Sequence, residues 1–320
     1  MNKLKKGRME KGITLIALII TIIVLLILAV VAISAIKNDG LIQYAQNARK
    51  DYTDAANKEQ EDLNTLLGKI EGNAPGNNGE GVAGGNKTPI SKTETYIGYY
   101  ADVDGNGSVD GIIYADLAKD GSGEWGNYEG FTPYSYSKKE TLNNYYISQE
   151  KYKHKEFAEK PVIAPIDKVE ENDRFYVMAL EDFTTEDYTT FYWYYNADGI
   201  MSDYATTTSE DFGKGKENTK IMMSKLYGDG LKDQDMWKYI GDEVSKGWFV
   251  PSNKEWSAFG VFANGQGMTT ENCGNYGLSE QYWSSLQTST FSARIIYIRY
   301  GFMYSAAVTY SLCVRLSTTF

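Results

Sequence analysis

The chain has 320 residues, a formal net charge of -10, one histidine (His154) and two cysteines (Cys273 and Cys313). An acidic chain with no basic stripe argues against a nucleic-acid partner. One His and two Cys supply His-based metal sites and Ser/His or Cys/His catalysis poorly. Tyr (26) and Trp (6) are plentiful, as expected of a folded extracellular domain with aromatic contact surfaces, not of a disordered chain. The two cysteines can pair outside the cell or remain thiols, and their spacing does not decide between the two.

The first predicted element is a membrane segment. Lys3, Lys5, Lys6, Arg8 and Lys11 precede a run without charge from Gly12 to Ile36. At about 1.5 Å per residue that run spans roughly 36 Å, enough to cross a ~30 Å hydrocarbon core with some tilt. The basic flank stays cytoplasmic and the rest of the chain lies outside. A secretory signal peptide has a shorter apolar core and a small-residue cleavage site, so an uncleaved signal anchor is the plain alternative.

The stretch "KGITLIAL" at 11–18 resembles the processing motif of type IV prepilins and pseudopilins, in which a membrane peptidase removes a basic leader after Gly. The resemblance implies a leader over 1–12 ending at Gly12, an N-methylated Ile13 as first mature residue, and other pilin-like subunits as partners. The family's usual Glu at the fifth mature position is here Ala17, a departure that bears on pilus assembly.

Past Lys37-Asn38-Asp39-Gly40, apolar residues at Leu41, Ala45, Ala48, Tyr52 and Ala55, then Leu63, Leu66, Leu67 and Ile70, recur at helical spacing. They predict one transmembrane and stalk helix over 13–70. The Gly- and Asn-rich stretch that follows reads as a flexible linker over 71–93, and the globular domain is placed at 94–320.

Within that domain, "DVDGNGSVDG" lies between two strand-like runs. Asp102, Asp104, Asn106, Ser108 and Asp110 alternate with small or apolar residues, so a tight loop can converge their oxygens on a structural calcium ion, the glycines supplying the bends. The twelfth position is Ile113, where an EF-hand has Glu. A plain Asp/Gly hairpin with solvated carboxylates is the other reading. No catalytic cofactor is indicated.

Tyr-rich strands such as "RFYVMAL" and "TTFYWYY" occupy the middle, and two short helices are expected over 218–247. Ser252 followed by Glu255 is a capping box that starts a further helix.

Three stretches then carry a second resemblance: "WFVPSNKEW" at Trp248 to Trp256, "YWSS" at Tyr282 to Ser285 and "CVRL" at Cys313 to Leu316. They resemble framework motifs of the C-type-lectin-like domains related to formylglycine-generating enzymes. The expected fold is therefore α+β: an N-terminal transmembrane, pilin-like α-helix followed by a C-type-lectin-like domain. The reactive cysteine pair of formylglycine generation has no match, so no enzymatic activity is expected.

Residues 286–312, between the last two motifs, resemble the variable region of proteins diversified by retroelements. There, Asn codons of a template repeat become any codon ending in a pyrimidine, which excludes Gln, Lys, Glu, Met and Trp. From Thr288 to Ser311 only Met303 belongs to that set. The resemblance implies a framework of Ala293, Ile296, Ile298, Gly301, Met303, Val314 and Arg315. It implies a ligand-facing set of Thr288, Phe291, Tyr297, Arg299, Tyr300, Phe302, Tyr304, Ser305, Ala307, Thr309, Tyr310 and Leu312. A pair of fixed apolar core strands is the alternative.

The resulting expectation is a surface-displayed adhesin or ligand-binding protein of a bacterial membrane, with its C-terminal domain extracellular and a protein or glycan as ligand. The alternative is a structural subunit of a pilus or secretion machine.

Overall fold

The computed structural model describes residues 87–126, 133–140, 142–166, 173–195, 208–229, 234–269 and 271–320, and of 225–229 and Arg299 the backbone alone. All of them lie in one compact unit, Ala83–Phe320. Gly12, Ile13, the membrane run, the stalk helix and most of the linker lie outside the described residues. Among the described residues no helix is long and apolar enough to cross a membrane.

The unit is mixed α+β, with strands predominating. Its main sheet has six strands in the order β13-β7-β2-β1-β6-β5. These are β1 (Tyr100–Ala101), β2 (Gly111–Asp116), β5 (Tyr145–Tyr152), β6 (Lys160–Pro165), β7 (Phe175–Ala179) and β13 (Ser317–Thr319). Only β1 and β6 run parallel. All six residues of β2 are buried, because the sheet is covered on both faces and a strand buried twice does not alternate. Ile112, Tyr114 and Met178 enter one apolar cluster. Ile113, Val177 and Phe175 enter another, with Tyr145 and the terminal Phe320.

A hairpin of β3 (Gly121–Gly123) and β4 (Tyr134–Tyr136) and a pair formed by β8 (Phe191–Tyr192) and β12 (Ser311–Leu312) flank the main sheet. The helices are α1 (Gly215–Asp229), α2 (Met236–Tyr239), α3 (Gly241–Ser245) and α4 (Asn253–Gly265). The second helix expected over 218–247 is thus two pieces meeting at Ile240, whose side chain is buried. The capping box of α4 is present: Ser252 Oγ accepts from Glu255 N, and Glu255 Oε2 accepts from Ser252 N at 2.6 Å.

The folded unit begins before the boundary expected at 94. Ile90 N donates to the Tyr145 carbonyl at 2.9 Å, and the Arg174 guanidinium donates to the carbonyls of Ser91 (2.7 Å) and Glu94 (2.5 Å). Arg174 is itself held by Asp116, with Nε to Oδ1 at 2.7 Å and Nη2 to Oδ2 at 3.0 Å. Both side chains of this pair are buried. The carbonyls and the bidentate carboxylate together satisfy a guanidinium that would otherwise be costly to bury.

The last sheet, β11-β10-β9, stands between two cores. It comprises β9 (Gln281–Ser289), β10 (Ser292–Tyr297) and β11 (Phe302–Ala307). Tyr282, Ile296 and Met303 pack with Trp256 and Phe259 of α4 on one side. Trp283, Ala293, Ile295 and Ala306 pack with Trp193 and Trp237 on the other.

Candidate functional site

The three framework stretches, up to 65 positions apart in the chain, meet beneath the end of this sheet. Trp256 stacks on Tyr282 with ring centroids 4.9 Å apart. Ser284 Oγ donates to Asn253 Oδ1 at 2.7 Å, and Ser285 N donates to the Pro251 carbonyl at 2.9 Å. Trp283 N donates to the Cys313 carbonyl at 3.1 Å. Arg315 passes under the junction, donating from Nη2 to the carbonyls of Leu180 (2.7 Å) and Gly277 (2.9 Å). Its Nε lies 3.1 Å from Asp182 Oδ1. Asp182 also accepts from Tyr282 Oη and from Ser279 Oγ, each at 2.7 Å. The base of the sheet is therefore cross-linked by polar contacts as well as packed. Cys313 lies at this junction, where burial pushes its thiol up, and Cys273 packs in the core. They are not joined by a disulfide.

The side chains between "YWSS" and "CVRL" divide by exposure. The framework set Ala293, Ile296, Ile298, Gly301, Met303, Val314 and Arg315 is buried throughout. Of the presumed ligand-facing set, Phe291, Tyr300, Ser305 and Tyr310 are exposed, and Thr288, Tyr297, Phe302, Tyr304, Ala307, Thr309 and Leu312 are half-buried. None of these eleven is closed off. The backbone of Arg299 lies in the turn of 3-10 helix Ile298–Tyr300, which ends at Gly301 with φ +64, a left-handed conformation that glycine adopts without strain.

Register explains how the rings gather. Tyr297 is opposite Phe302 and Ile295 is opposite Tyr304 across β10 and β11. Tyr297 meets Tyr300 edge-on at 4.6 Å and Phe302 at 5.4 Å, and Phe302 meets Tyr304 at 5.5 Å. These contacts hold an open aromatic cluster in place at low entropy, each pair contributing about 0.5–1.5 kcal/mol. Burial pushes the Tyr304 hydroxyl up, and the neighbouring Tyr297 and Tyr310 hydroxyls add to the effect.

Pairing of β12 with β8 sets Ser311 opposite Tyr192. It thereby brings in the stacked pair Tyr192 and Tyr195, with centroids 5.0 Å apart. Sequence reasoning missed this pair, since no spacing links "FYWYY" to the C-terminus.

The candidate metal loop joins β1 to β2. Carboxylate oxygens of Asp102, Asp104 and Asp110 lie within 4.8 Å of one another. The loop's own amides occupy several of these oxygens. Asp102 accepts from Asn106 N (3.0 Å) and Gly107 N (2.9 Å), and Asp110 accepts from Val103 N (2.8 Å). Asn106 donates from Nδ2 to Asp104 at 2.9 Å and accepts from Ser108 N at 2.7 Å. Burial pushes Asp102 and Asp110 above the usual carboxylate range, and repulsion from Asp104 adds to this. The donor set suits a hard cation, and the present hydrogen bonds equally close a hairpin.

Compared with family models, curated proteins and solved structures, the chain matches none of them.

Proposed function

We propose that the chain is a surface-displayed binding protein whose C-type-lectin-like domain presents residues 288–312 as a diversified ligand face. The observation that supports this reading is the division of that segment: the framework positions are buried, as are Ile295, Ala306 and Val308, and the eleven ligand-facing positions with described side chains are exposed or half-buried. A buried framework lets the open positions change without unfolding the sheet, which is what a variable binding face requires. Tyr and Phe give large contact area with few torsions, and hydroxyls add hydrogen bonds. Binding without chemistry is the whole activity in this reading.

The membrane tether and the prepilin-like processing at Gly12 and Ile13 rest on the sequence of 1–36. They would place the domain outside the cell, at the end of a stalk and linker.

Sequencing the gene and its flanks across a population of cells tests the proposal. The expected result is an adjacent near-identical repeat differing almost only at adenines, a reverse-transcriptase gene nearby, and coding changes confined to the open positions. A locus without the repeat, or one in which Ile296 and Met303 vary as often as Tyr297 and Tyr300, would refute it.

A further inference from the structure

The aromatic cluster of β10 and β11 continues past the end of β11. Burial, then Tyr297, then Tyr310 raise the Tyr304 hydroxyl, so Tyr310 stands within electrostatic reach of that cluster. Tyr310 is itself 55% exposed. One position along, Ser311 is opposite Tyr192 and Leu312 is opposite Phe191 in the β12–β8 pair. Side chains directly opposite each other share a face. Leu312 and Phe191 turn inward, to the apolar cluster that also holds Trp193 and backs Tyr304. Ser311 and Tyr192 therefore turn outward. Tyr192 stacks on Tyr195, which is 43% exposed.

The Tyr192 and Tyr195 pair is held from outside residues 288–312. Tyr192 N donates to the Gln234 carbonyl at 2.9 Å, and Tyr195 N donates to Oδ1 of the buried Asp235 at 2.8 Å. Gln234 Nε2 reaches the Thr190 carbonyl at 3.2 Å and Ser311 Oγ at 2.9 Å. Gln234 does this at φ +72, a left-handed conformation that is costly for a residue with a Cβ and is found most often at functional sites. The neighbouring contacts with the segment use its backbone: Trp193 N and Tyr194 N donate to the Val308 carbonyl at 3.0 and 3.1 Å. Side-chain changes at Thr309, Tyr310 or Leu312 leave those bonds their acceptor.

Resting on the binding face read above, we propose that Tyr192 and Tyr195 extend it beyond the diversified segment as a constant anchor, and that the ligand gripped by both parts is a folded protein. The face runs the length of β10, six residues or about 17 Å at ~3.3 Å per step. The Tyr192 pair joins it at the end where Val308 N donates to the Phe291 carbonyl. A contact of that length suits a protein interface, about 800 Å² on each partner, and exceeds a single sugar ring. Composition agrees, since 288–312 holds no Lys, Asp or Glu and tyrosine is enriched where protein interfaces are most buried. Rings already fixed in place lose little freedom on contact, so the pair adds affinity whichever side chains the segment presents.

A ribosome-display library of the full chain in detergent, randomised at the ligand-facing positions, tests the anchor by selection against two probes, lysozyme and dextran. Lysozyme binders are expected. In most of them Tyr192→Ala with Tyr195→Ala should raise Kd at least about tenfold. Tyr195→Ala alone, at an exposed position whose loss the fold tolerates, should give part of that effect. Tyr192→Phe with Tyr195→Phe should keep Kd within about threefold, because the rings carry the contact. Ile147→Ala, at a comparably exposed apolar residue of β5 (39%), should leave Kd unchanged. Lysozyme binders indifferent to both alanine variants would overturn the anchor and leave the variable face standing. Dextran binders without any lysozyme binder would overturn the protein partner, and no binder to either probe would overturn the face and the anchor with it.

Discussion

Replacing Glu255 by Gln should remove a dependence of stability on pH that the wild-type chain shows between about 4.5 and 7. The Glu255 carboxylate is fully buried and accepts from the amides of Ser252 (2.6 Å), Gly213 (3.1 Å) and Gly215 (3.4 Å). Burial outweighs these three donors and raises its pKa from 4.5 to about 7. The folded state therefore takes up the proton at a higher pH than the unfolded chain does. The stabilisation this provides is complete below pH 4.5 and is lost as pH rises through 7. At ~1.36 kcal/mol per pH unit, the interval corresponds to roughly 3 kcal/mol. Tyr114 and Tyr176, the titratable groups facing Glu255, are themselves pushed up by burial and stay neutral over this window. Gln is accepted at this place in a capping box, so α4 should keep its start. Urea unfolding followed by far-UV circular dichroism at four pH values from 4.5 to 7.5, for wild type and Glu255→Gln, measures the difference. Parallel curves for the two proteins would refute the reasoning.

Asp116→Ala leaves the Arg174 guanidinium buried without its carboxylate and should cost about 3–5 kcal/mol in urea unfolding; a loss under 1 kcal/mol would show that the two carbonyls suffice. Tyr300→Ala, which loses the edge-on contact with Tyr297, should cost about 0.5–1.5 kcal/mol, whereas Ile296→Ala in the neighbouring strand should cost about 2–5 kcal/mol. Thermal unfolding of the two variants separates face from framework, and similar losses would count against that division. The chain purified from membranes should have the mass of a protein beginning at N-methylated Ile13, and Gly12→Glu should keep residues 1–12 attached; a wild-type chain starting at Met1 would contradict prepilin-like processing.

The loop at 102–110 and the start of α4 were legible in the sequence because each is decided within a few residues. Ser252 and Glu255 are three positions apart and complete each other's hydrogen bonds, and the Asp and Gly pattern closes its turn with its own amides. In "ARIIYIRYGFMYSAA" the framework and ligand-facing positions follow from a resemblance, and the physical origin of their irregular order is not legible in the sequence. In β10 both Ile295 and Ile296 are buried, on opposite faces, because cores lie on both sides of the sheet, and register shifts interrupt its pairing with β9.

By itself, then, the amino-acid order determined the local elements, the charge-free run from Gly12 to Ile36 and the segment from Thr288 to Ser311 that lacks Lys, Asp and Glu. Tertiary structure alone decided which distant groups share a site. It joined Asp116 to Arg174 across 58 positions and set Tyr192 beside Ser311. The reason is physical: capping and turn preferences are satisfied by near neighbours in the chain, whereas strand register and the meeting of distant side chains depend on where whole elements pack.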